Sequence, residues 1–241
     1  MVLVESAPQS LDPRSVTDDI GTKISRLVFA PLLTFDTLDV EAELILARDV
    51  EQPSPTEVVV HLRPDARFHD GTPVRAADVV YTFRTTPHEM RLIAEVRELD
   101  ALTVRFILVR PHAPFWSSLA TGIVSEADAS QGSPTIGAGP YRLERWQDDG
   151  TVELRRFDDY VGGAPSLEAL RFRVIRDDNT RILALMGGSA QLAVNNVSPL
   201  LLPVLEDDER LRVQTSPSIK YTYLMFNLRE APFDDVRVRR A

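Results

Sequence analysis

Few residues in this chain have types and spacing that could do chemistry. The four histidines are His61, His69, His88 and His112, and no two stand three or four positions apart, so no helical metal-binding pair exists. His69-Asp70 offers an imidazole beside a carboxylate. Adjacent strand residues point to opposite faces, however, so a turn role competes with an acid–base role. Asp18-Asp19 is a carboxylate pair in a loop or at a helix start, where helix capping is the alternative. Gly137-Ala138-Gly139-Pro140-Tyr141 begins like a phosphate loop, but Pro140 removes an N–H where one should meet phosphate and Arg142 follows. Gly187-Gly188-Ser189-Ala190-Gln191 is no nucleophile elbow, because position 191 is not glycine; a helix stop explains the pair. No cysteine is present, which excludes disulfides, thiolate nucleophiles and cysteine metal sites.

Two further groups suit binding rather than catalysis. Asn195-Asn196 falls just past the carboxyl end of a predicted strand, Leu192–Val194, where open α/β sheets bind ligands. Asparagine offers donors and acceptors together, as an amide or zwitterionic ligand needs. An Asn-rich turn leading into Ser198-Pro199 is the alternative reading. Tyr221 and Tyr223 share one face of a predicted strand, Tyr221–Asn227, and give a flat apolar wall with hydroxyl tips. Core packing is the competing use.

The elements that must position these groups are legible from periodicity. Val2 to Val4 reads as a strand, and Ser10-Leu11-Asp12-Pro13 as a turn. Ile20, Ile24, Leu27, Val28 and Leu32 follow helical spacing, with Pro31 marking the stop. Glu57 to Arg63 and Val104 to Leu108 read as strands, and Ala76 to Arg84 as a short helix with Asp78 in its first turn. After Gly137 the pattern becomes strand, helix, strand. Val152 and Leu154 alternate with polar neighbours, as do Leu170, Phe172 and Val174. Asp177-Asp178-Asn179 then caps an apolar helical face that ends at Gly187-Gly188. A helix is expected from Ser198-Pro199 to Leu205, and strands at Leu211–Gln214 and Tyr221–Asn227. The segment from Asp234 reads as a helix start without a stop signal.

Composition narrows the class. The chain has 241 residues, 44% of them hydrophobic, and a net charge of -9. That acidity argues against nucleic acid, which wants clustered positive charge. No apolar run approaches the ~20 residues of a membrane helix. Met1 to Glu5 carries no basic region followed by an apolar stretch, so no signal peptide is read there.

Several stretches together resemble one family. Phe68-His69-Asp70-Gly71-Thr72-Pro73 and the run on to Phe83 resemble the hallmark segment of the dipeptide-, oligopeptide- and nickel-binding proteins of ABC importers, the extracytoplasmic solute-binding proteins of family 5. Ser10-Leu11-Asp12-Pro13, Ile136 to Tyr141, Tyr160 to Pro165, and Phe226-Asn227 with Ala231 to Arg239 resemble other segments of that family, in family order. Departures are Gln191, where the family often has aspartate, Arg75, where it usually has threonine, and a shortened stretch from Thr85 to Val104.

The resemblance implies an α/β fold. It implies a periplasmic-binding-protein-like lobe with a mixed sheet, residues 1–34 and 151–241, plus an inserted small β-rich subdomain at 35–150. A second lobe would be missing. The implied function is capture of peptides or similar solutes and their delivery to a membrane permease, in the periplasm or in association with the membrane outside the cytoplasm, by a monomer with no cofactor, metal or catalytic residue. It also implies ligand-facing roles for Thr17, Asp18 and Asp19 and for Asn195 and Asn196, and these are expected to converge on one face with Tyr221 and Tyr223, placed by strand alternation. The alternatives are a ligand-sensing module of a regulator or receptor with the same fold, and a hydrolase using Asp18, Asp19 or His69.

Overall fold

The computed structural model describes residues 1–35, 42–87, 89–194, 197–215 and 224–240. In chain order the elements are β1 (Val2–Val4), α1 (Asp19–Val28), β2 (Leu33–Thr34), β3 (Glu43–Leu44), β4 (Ala47–Ser54), β5 (Glu57–Leu62), α2 (Ala76–Thr85), β6 (Ile93–Asp100), β7 (Thr103–Leu108), α3 (Phe115–Ser118), α4 (Glu126–Ala129), β8 (Tyr141–Trp146), β9 (Val152–Arg156), β10 (Ala169–Val174), α5 (Asp178–Met186), β11 (Leu192–Ala193), α6 (Leu202–Glu206) and α7 (Val236–Arg240).

The strands form separate sheets. One mixed sheet has the order β11-β1-β10-β9-β8, and a second has the order β4-β5-β7-β6. β1 runs parallel to both β10 and β11, so the chain leaves β10, passes through α5 and returns on the far side of β1. The remaining pairs in this sheet are antiparallel. β8 lies within the 35–150 span read as an insertion, yet its ladder is with β9 of the mixed sheet. The second sheet is antiparallel throughout.

Each sheet has its own core. Ile20, Ile24 and Val28 recur every fourth residue on α1 and pack with Val2, Val4, Val152, Leu154 and Phe172 of the mixed sheet. Val79, Val80 and Phe83 of α2 pack on Val58, Val60, Val104 and Phe106 of the second sheet. Phe106 stands between Phe83 and Phe115 in edge-to-face contacts at 4.9 and 5.5 Å. No helix among the described residues is long and apolar enough to cross a membrane.

Three expectations change. The helix from Ser198-Pro199 to Leu205 is a 3-10 turn, Pro199–Leu201, followed by α6. Pro203 lacks the N–H that would have reached the Pro199 carbonyl four residues back, and the Leu202 N–H takes that acceptor instead. Leu211–Gln214 and Leu224–Asn227 form no strand, and Tyr221–Tyr223 lie outside the described residues. Their alternating pattern is there, but a strand also needs a ladder partner, and Leu224 and Met225 stand 77% and 79% exposed. Conversely, β4 and β6 were not legible, because they are edge strands that bury little beyond Ala47 and Val96.

Arg75 at the start of α2 has extended backbone and supplies no side-chain acceptor. Only half of a capping box is in place, the Arg75 N–H donating to the Asp78 carboxylate at 2.9 Å. Arg75→Thr should add the missing cap acceptor and raise the melting temperature by about 2–4 °C, the equivalent of ~1 kcal/mol at this length. An unchanged or lower melting temperature by calorimetry would contradict the capping assignment.

Candidate functional site

Parallel neighbours end on the same side. The carboxyl ends of β1, β10 and β11 therefore open on one edge of the mixed sheet, from which leave residues 5–18, residues 175–177 and Val194. The crevice outside such an edge is where open α/β sheets bind ligands.

Two helices begin at this edge, each capped by an aspartate. Asp18 accepts the Gly21 N–H at 2.7 Å through one oxygen and the Gln9 N–H at 3.2 Å through the other. Asp177 accepts the Thr180 N–H at 2.8 Å and its hydroxyl at 2.6 Å. Those bonds from Thr180 hold the Asp177 carboxyl below the usual carboxylate range. Behind Asp177 the Arg181 guanidinium is 1% exposed, donates to the Ile175 and Arg176 carbonyls and pairs with Asp178. It fixes the turn at 175–177.

The long loop after β1 is held from the opposite side. Leu11 is buried, and the Arg14 guanidinium chelates the Asp12 carboxylate at 2.7–3.2 Å. Arg14 also donates to the Thr85 hydroxyl at 3.0 Å and lies over the Tyr81 ring at 5.7 Å. The Leu-Asp-Pro turn is thus pinned to α2, an element of the other core. The bond to Asp12, more than any other group, raises the Arg14 pKa above the ordinary arginine value.

A second clamp joins the two cores. The Gly139 N–H donates to the Val28 carbonyl, the last of α1, at 2.8 Å. The His69 N–H donates to the Gly137 carbonyl at 2.8 Å, and the His69 ring bridges the same segment. Its Nδ1 accepts the Gly137 N–H at 3.2 Å, so Nε2 carries the proton and donates to the Gly139 carbonyl at 3.0 Å. Phe157 closes over the ring at 5.1 Å, edge to face. A Cβ on Gly137 would stand 1.9 Å from the Val28 oxygen, and one on Gly139 2.5 Å from the Leu27 oxygen, so only glycine fits at either place.

The residues named from sequence divide into two groups. Thr17 and Asp19 are exposed beside Asp18 at the carboxyl edge, with Asp19 paired to Lys23 at 2.6 Å. Asn195, Asn196, Tyr221 and Tyr223 lie outside the described residues; the strand before the asparagines does end at the same edge. The groups a hydrolase would need are committed elsewhere: Asp18 to two backbone donors, Asp19 to Lys23 and both His69 nitrogens to backbone. Asp70 closes its turn, accepting the Thr72 N–H at 2.9 Å. The role of His69 was not legible, because its partners lie about seventy positions away.

The family profile described as bacterial extracellular solute-binding proteins, family 5 Middle, matches residues 41–241, more than four fifths of the chain. The chain belongs to that family. It is 31% identical over 260 residues to a glutathione-binding protein of Pectobacterium atrosepticum, covering 100% of this chain and 50% of that one. It is 27% identical over 279 residues to the dipeptide-binding protein of Escherichia coli K12, covering 98% and 52%. Among solved structures, the dipeptide-binding protein of Pseudoalteromonas sp. SM9913 in complex with Met-Leu superposes with a TM-score of 0.90 at 22% identity, over 100% of this chain and 55% of that one. The chain spans about half the length of the curated relatives it matches.

The His69 clamp makes stability depend on pH. Burial, above all, pushes the His69 pKa below the ordinary histidine value of 6.5, with Arg142 adding to the effect against the opposing bond to Gly139. The unfolded chain therefore binds the extra proton first. The stabilisation is complete above about pH 6.5 and is lost as pH falls toward the depressed folded value. His69→Gln should cost about 1–3 kcal/mol at pH 7. It should also flatten the decline in urea midpoint between pH 7 and 5. A variant with the same slope as the parent would contradict the clamp.

Proposed function

We propose that this chain forms one lobe and an inserted β-rich subdomain of the solute-binding component of an ABC importer, taking peptides or similar small solutes outside the cytoplasm. The carrying observation is the shared carboxyl edge of β1, β10 and β11. It brings the Thr17–Asp19 loop and the exit of β11 toward Asn195-Asn196 to one side of the lobe. The division proposed is 1–34 with 151–241 as the lobe, while β8 joins that lobe's sheet and moves the end of the insertion to about residue 140. Relatives named for glutathione and for dipeptides support a short peptide as ligand.

The mechanism is enclosure. A peptide laid on the edge meets polar loop groups and two helix starts, and a second lobe closes over it, which shifts the population toward the closed form. The closed monomer then delivers it to a membrane permease. On its own this face is one wall of the enclosure, and tight binding of a small solute requires most of its surface to be buried.

Titrating the isotope-labelled chain with glutathione and with a dipeptide tests this reading. Amide shifts should fall on residues 5–19, 175–178 and 192–198, with an affinity no tighter than about 1 mM. Shifts confined to the face of α2 and β6 would overturn the site. Micromolar binding would overturn the two-lobe mechanism.

A further inference from the structure

The antiparallel ladders of the second sheet line up one row of side chains across all four strands. Asp49 on β4 stands opposite His61 on β5, His61 opposite Thr103 on β7, and Thr103 opposite Asp100 on β6. Glu51 lies two residues beyond Asp49, on the same face by strand alternation. One ligand atom from each of Asp49, Glu51 and His61 can be chosen so that all three lie within 4.8 Å of one another. His61 Nε2 is 3.4 Å from a Glu51 oxygen, and Asp49 and Glu51 are exposed. Among the described residues no lysine or arginine pairs with Asp49 or Glu51.

The far side of the imidazole is also arranged. Nδ1 lies 3.3 Å from the Thr103 hydroxyl, which is buried. In the tautomer that carries its proton on Nδ1, the hydroxyl accepts that N–H. That tautomer leaves the Nε2 lone pair facing the two carboxylates. A histidine held by a hydrogen bond at one nitrogen and free at the other is the arrangement that metal-binding imidazoles use.

We propose that Asp49, Glu51 and His61 bind a divalent cation of the zinc class, with Thr103 orienting the imidazole. One nitrogen and two carboxylate oxygens with open positions suit Zn²⁺ better than Mg²⁺ or Ca²⁺, which take oxygen ligands throughout. Donors at ~2.0–2.1 Å from a tetrahedral ion stand roughly 3.3 Å apart, within reach of modest rotation of two exposed carboxylates. The ion would fasten the edge strand β4 to β5. The site lies on the four-stranded sheet, apart from the carboxyl edge of the mixed sheet, and does not depend on the function proposed above. Spacing along the chain hides it, because its ligands meet across strands.

Calorimetric titration of the chain with zinc chloride is the test, with ¹⁵N spectra of the histidine side chains. One equivalent should bind in the micromolar range, unaffected by millimolar Mg²⁺, and the His61 Nε2 resonance should shift. His61→Gln and Asp49→Asn should each weaken binding at least tenfold, and Thr103→Val by about tenfold. His112→Gln should leave it unchanged. Affinity weaker than millimolar, undiminished binding in His61→Gln, or a zinc shift at another histidine in the parent would overturn the proposal. The spectrum of the parent decides the matter even if a variant does not fold.

Discussion

The backbone from Gly137 to Gly139 is the constraint on which the rest of the fold depends. It runs between the end of α1 and the His69 ring, so close to the end of α1 that no side chain fits at Gly137 or Gly139. Four hydrogen bonds from three residues tie the core under the mixed sheet to the core under the four-stranded sheet. Each is worth about 0.5–1.5 kcal/mol net, but breaking one here leaves a partly buried backbone group without a partner, which costs more. Pro140 follows at once and sets the direction in which β8 enters the mixed sheet. The segment that resembled a phosphate loop has its N–H groups turned to protein acceptors instead.

With that crossing fixed, the Arg14–Asp12 pair does the same for the loop after β1. It anchors the Leu-Asp-Pro turn to Tyr81 and Thr85 of α2. The loop carrying Thr17, Asp18 and Asp19 is therefore suspended between an element of each core. Its far end is set by the Asp18 cap on α1. A surface meant to receive a ligand needs this support, since loose loops spend binding energy on their own ordering.

Much of this was legible from sequence wherever a strand or helix buries one clear face. Val104 and Phe106 alternate with half-buried neighbours, Ile20, Ile24 and Val28 recur every fourth residue, and Asp177 caps α5 as its position suggested. Legibility failed where burial is slight or partners are distant. β4 and β6 show mostly polar faces at sheet edges, and their pairing is decided by β5 and β7. The His69 clamp and the His61–Thr103 contact are products of topology, joining residues some forty to seventy positions apart. Pro203 was in plain view, but its effect rests on which carbonyl loses a donor. At the candidate site, Thr17 to Asp19 came from a family resemblance, whereas the physical reason for their location came only with the parallel pairing of β1, β10 and β11.

Native-state hydrogen exchange at the Gly139 and His69 amides tests the central claim most directly. If the clamp is the joint between the cores, both amides should open only with the cooperative unfolding of the chain. They should then match the protection of Ile24 in α1 and Val104 in β7. Exchange as fast as that of the exposed Leu224–Leu228 stretch, while Ile24 and Val104 stay protected, would show that the two cores are held together by something else.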